Sequence, residues 1–106
     1  MSERRLLMDT IADMTAASVE RANLSDEALL LVRFAALVAM DAPVASYLLN
    51  FGAAAETDLT LEDAQSVLVA VAPIVGAPRV VSAAGKITEA LGIAIELAEL
   101  EMEEGL

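Results

Sequence analysis

The chain has 106 residues, enough for one domain with a single hydrophobic core but small enough for that core to be marginal alone. Its 17 acidic and 6 basic residues give a net charge of −11, which disfavours nucleic acid and anionic membrane surfaces, since both bind through clustered Lys and Arg. With no cysteine and no histidine, it has no disulfide, thiolate nucleophile, ordinary zinc site, Ser-His-Asp triad or histidine base.

The first predicted element covers about residues 3–21, where Leu7, Ile11, Met14 and Ser18 recur at helical spacing. Two arginines open the chain, but Asp9 and Asp13 interrupt the apolar run that a secretory signal requires. "NLSDE" then supplies Ser25 as an N-cap, with Asp26 and Glu27 at the positive end of a second helix dipole. That helix runs to about Met40. "DAP" breaks it, with Asp41 as N-cap of a third helix and Pro43 in its first turn. The third helix ends near Ala55. Thr60 and Asp63 form a capping-box-like start to a fourth, which stops near Val75 at "PIVGAP". A long fifth helix fills Pro78 to about Met102, and its acidic end reads as a solvated tail. No stretch alternates with period two for long enough to be a strand, so residues 1–106 read as one all-α domain.

Hydrophobic residues make up 58% of the chain, against about 45–50% for an ordinary soluble domain. Alanine accounts for 22 residues and aromatics for 3%, a composition suited to close helix packing. Gly85 and Gly92 fit the same picture, as points of close helix contact. The longest apolar runs are too short or too broken by Arg33, Pro73, Gly76 and Pro78 to span a membrane. A cytoplasmic protein is expected. The last helix carries one apolar stripe at Ile87, Leu91, Ala94, Ile95, Ala98 and Met102, and a second at Ile93, Leu97 and Leu100. So short a chain has little with which to cover both stripes, so a homo-oligomer is expected.

The segments "LSDEALLLVRFAALVAMDAP" and "TLEDAQSVLVAVAPIVGAPRVVSAAGKITEALG" resemble the carboxymuconolactone decarboxylase family, which includes the alkylhydroperoxidase D-like proteins. The resemblance runs from about Leu24 to Gly92. It implies an alkylhydroperoxidase D-like domain of about five helices around an antiparallel helical hairpin, assembled as a trimer or hexamer (a dimer next), often without any cofactor. The thiol-peroxidase branch of that family has an acid one helix before the break, then a Cys-x-His-Cys-x-x-x-His motif. Aligned on the Ala-Pro break, the acid falls on Leu30, the cysteines on Ala42 and Ala45, and the histidines on Val44 and Leu49. All five positions are apolar. Peroxidase chemistry needs a thiolate and a resolving thiol, and this chain has neither.

The family's name-giving reaction removes carbon dioxide from a small lactone acid. It requires an anion-binding group, a proton donor and a shielded pocket. Arg33 can hold a carboxylate bidentately, and Arg79 can join a helix N-terminus in binding an anion. Tyr47, Glu56 and Asp41 are the candidate proton carriers near the break, with Tyr47 also a candidate for substrate binding. Each has a structural reading beside it: Arg33 paired with a carboxylate across a subunit contact, Arg79 and Lys86 facing Glu89 or a neighbouring chain, and Tyr47 anchoring an interface. Two functions are therefore expected to compete. One is a non-catalytic or small-ligand-binding oligomer. The other is a cofactor-free decarboxylase or lyase acting on a small organic acid, with Arg33 as carboxylate anchor. Neither invokes a metal, a nucleic acid or a membrane.

Overall fold

The computed structural model describes residues 3–103 and is helical throughout, with no strand among them. The elements are α1 (Glu3–Arg21), α2 (Asp26–Ala39), α3 (Val44–Ala54), α4 (Leu61–Val75) and α5 (Ala77–Glu103). Local chemistry sets most of these boundaries. Ser25 Oγ accepts from the Ala28 N–H at 3.1 Å and starts α2. Thr60 and Asp63 start α4 with a reciprocal capping box: the Asp63 N–H donates to Thr60 Oγ1 at 3.3 Å, and the Thr60 N–H donates to Asp63 Oδ2 at 2.8 Å. Gly76 separates α4 from α5 with φ +87°, ψ 158°, a conformation open essentially to glycine alone.

The end of α2 differs from the sequence expectation. Asp41 is not the N-cap of α3, whose cap position is held by Pro43 with no side-chain bond. It is instead the residue just past the C-cap of α2, with φ +54°. Its N–H donates to the Val38 carbonyl at 3.2 Å, and the Ala42 N–H reaches back to the Leu37 carbonyl at 3.0 Å. This pair of bonds is the Schellman motif, whose left-handed position usually belongs to glycine.

α2 is the central helix, packing on α3, α4 and α5, while α3 packs chiefly on α5. Phe34 and Val38 of α2, Ala42 of the turn, Tyr47 of α3, and Ala83, Ile87 and Ala90 of α5 form the buried core. The three α5 residues follow the i, i+4, i+7 spacing of one helix face. α4 closes the core with half-buried residues that include Ala64, Val67, Leu68 and Val71.

Two segments stand outside this packing. No residue of α1 is buried, and Leu7, Ile11 and Met14, the expected packing face, are 46–66% exposed. α5 has 27 residues, about 40 Å at 1.5 Å per residue, against 11–15 residues for α2, α3 and α4. Its first apolar stripe is therefore covered only over its first half: Ile87 is buried and Leu91 half-buried, but Ile95 and Met102 are exposed. Leu97 and Leu100 of the second stripe are exposed as well. Gly85 and Gly92 are also exposed. A Cβ on either would meet nothing within 4 Å, so no helix contact within the chain accounts for them. No described helix is long and apolar enough to cross a membrane.

Candidate functional site

The junction between α2 and α3 is held together by charge. Asp41 projects from its left-handed turn toward α5, where Ser82 and Lys86 lie one helical turn apart on one face. Ser82 Oγ donates to Asp41 Oδ1 at 2.7 Å, and Lys86 Nζ donates to the same oxygen at 2.9 Å. Lys86 Nζ also donates to the Asp41 carbonyl at 3.3 Å. The Ser82 hydrogen bond, then that of Lys86, holds the Asp41 carboxyl below its ordinary range, outweighing the opposing desolvation. Arg79, one turn before Ser82, donates through Nη1 to the Ala39 carbonyl at the end of α2, where a cation complements the helix dipole. Within the chain, neither Arg79 nor Lys86 faces Glu89, as the sequence reading expected. Both fasten the α2–α3 turn to α5.

Tyr47 sits below this turn with no exposed surface. Its ring packs edge-on to Phe34, with centroids 5.9 Å apart, and lies 6.5 Å from Phe51. Its hydroxyl has no hydrogen-bond partner among the described residues. Burial, and then the charge of Asp41, raises the phenol pKa, so the group stays protonated. Tyr47 is a core residue of the chain, not an exposed interface anchor.

Arg33 lies on the opposite side of α2, half-buried, in a groove of about 490 Å³ between α1, α2 and α3. Its Nη2 donates to Ser18 Oγ of α1 at 2.9 Å. Within the chain no carboxylate among the described residues pairs with Arg33, the ion pair there being Lys86–Asp41. The other groups lining the groove are neutral, and the polar ones are Thr15, Ser46 and Asn50. Leu30 and Leu49 line it too. In the alignment on the Ala-Pro break these two positions match the acid and the second histidine of the peroxidase motif.

Glu56 is exposed in the turn after α3, at the other end of that helix from Asp41, a distance of about 16 Å for its 11 residues. The candidates therefore occupy four places. Asp41 and Arg79 share the α5 junction, Arg33 faces the α1 groove, Tyr47 is in the core and Glu56 is at the far turn. Ser82 and Asn50 were not singled out from the sequence, and Lys86 was read there only as facing Glu89 or a neighbouring chain. The partners of Asp41 lie 41 and 45 residues away and leave no local signal. Asn50, the lone amide of the apolar stretch from Ala28 to Ala55, did offer one.

Comparison with known proteins yields no match: no family model fits the chain, and no curated protein or solved structure is found to be similar.

Proposed function

We propose that this chain is the subunit of a homo-oligomer of the alkylhydroperoxidase D-like kind, similar to the carboxymuconolactone decarboxylase family. On this reading it binds a small organic acid at Arg33 and does not turn it over. The observation that carries the reading is the composition of the Arg33 groove: one guanidinium, and otherwise neutral side chains. A guanidinium anchors a carboxylate well. Decarboxylation also needs a group that delivers a proton at neutral pH, and Ser and Thr hydroxyls are too weakly acidic for that. Asp41, Tyr47 and Glu56 are all absent from the groove lining. Support for the family likeness comes from position, since the groove includes two of the sites that the peroxidase motif would use.

Titration of the protein with muconate, a small dicarboxylate, tests this. Saturable binding is expected, with loss of at least ten-fold in affinity in Arg33→Leu. That variant loses one partly exposed hydrogen bond, so its stability should fall by no more than about 1 kcal/mol. Absence of binding would contradict the reading. Release of carbon dioxide from carboxymuconolactone by the purified protein would favour the decarboxylase instead.

A further inference from the structure

The geometry points to a second ligand site, beside the Arg33 groove and sharing Leu30 and Asn50 with it: we infer that the pocket between α2, α3 and α4 binds a small neutral aromatic molecule carrying one hydrogen-bond donor. This inference does not depend on the reading of the Arg33 groove. The pocket has a volume of about 190 Å³ and is partly open to solvent. An apolar cavity of roughly 150 Å³ already accepts benzene. Its space exists because small side chains, Ala54 of α3 and Ala64 of α4, stand where larger ones would fill it.

The walls define the ligand. The chain has three aromatic residues, and all three pack in one cluster. Two of them, Phe34 and Phe51, line this pocket with centroids 6.2 Å apart, and Leu91 of α5 adds a further apolar wall. Aromatic faces and edges favour a ring over an aliphatic chain of equal area. No cation lines the pocket, and its single ionic group is Asp63. That carboxylate is held by Thr60 in the capping box and opposes the entry of an anion. Asn50 is the remaining polar group that can reorient. Its Nδ2 donates to the Leu30 carbonyl at 3.5 Å, while its Oδ1 accepts from no described residue. An amide oxygen at an apolar wall selects a hydroxyl or N–H on the ligand.

The experiment is a titration with p-cresol, toluene and benzoate, followed by the methyl NMR signals of Leu31 and Leu91. p-Cresol is expected to bind saturably, one per subunit. Toluene should bind several-fold more weakly for lack of the donor, and benzoate at least ten-fold more weakly at these signals. Ala54→Leu and Ala64→Leu each fill the pocket, and neither residue lines the Arg33 groove. Whichever variant keeps the wild-type circular dichroism and melting curve should lose p-cresol binding, whether or not muconate binds the Arg33 groove. Three results would overturn the inference: no saturable p-cresol binding, as when a second copy covers the pocket; binding unchanged in a folded filling variant; or benzoate bound as tightly as p-cresol. If neither filling variant folds, Phe51→Leu serves in their place: p-cresol affinity that does not change in it would contradict an aromatic-lined site.

Discussion

Asp41 holds a backbone position that glycine usually takes, and its side chain compensates by binding α5. From "MDAP" alone, Asp41 reads as the N-cap of α3 and not as a left-handed residue that ends α2. Ser82 and Lys86 decide between them, and no local pattern announces residues so distant. The folded-state pKa of Asp41 is lowered from 3.8, so the unfolded chain takes up this proton first as pH falls. The stabilisation is thus fully present above about 3.8 and disappears as pH drops through the lower folded-state value. In Asp41→Asn, which tolerates the same backbone, the urea midpoint should lie below wild type at neutral pH. The gap should close on acidification below that value, and a gap independent of pH would contradict the assignment. Tyr47 makes the opposite case, since its identity suggested chemistry and its burial assigns it to packing. Leaving a buried hydroxyl unpaired costs about 1–3 kcal/mol, so Tyr47→Phe should be neutral or more stable by about 1 kcal/mol in urea unfolding. A clear loss would mean that the hydroxyl has a partner.

At the scale of elements, the helices were legible wherever a cap or a breaker marks them. Ser25, the Thr60–Asp63 box and Gly76 all lie where the sequence reading put them, because each acts within four residues of itself. Packing was less legible. The spacing of Leu7, Ile11 and Met14 correctly predicts a helix but says nothing of what covers it, and among the described residues all three stay 46–66% exposed. The stripe on α5 has the same defect, since periodicity does not reveal that the helix outruns its neighbours. Gly76 gives the test at this scale. A Cβ there would meet only Pro78 Cδ, at 3.9 Å, so Gly76→Ala acts through backbone strain and not through a clash. A loss of about 1–3 kcal/mol in urea unfolding is expected. No loss would mean that the α4–α5 junction relaxes to another conformation.

The whole molecule is looser than one chain of this length should be. Its radius of gyration is 15.2 Å, whereas about 13 Å is expected for a compact domain of this size. The excess reflects α1 and the end of α5, which together expose ten large apolar side chains: Leu6, Leu7, Met8, Ile11, Met14 and Val19, then Ile95, Leu97, Leu100 and Met102. Full burial of such a side chain is worth about 1.5–3 kcal/mol, so covering ten that are already about half covered is worth about 10 kcal/mol. That is comparable with the roughly 4–15 kcal/mol that association costs. Repulsion between subunits of charge −11 adds to the cost, but beyond about 8 Å it is screened at physiological salt. A self-assembled subunit is therefore the central claim, because an isolated chain leaves both segments uncovered. Light scattering coupled to size exclusion, at micromolar concentration and physiological salt, tests it most directly. The account predicts a homogeneous mass at least twice 11.0 kDa, a trimer or hexamer if the proposed function holds. A stable, well-folded monomer of 11.0 kDa would contradict it.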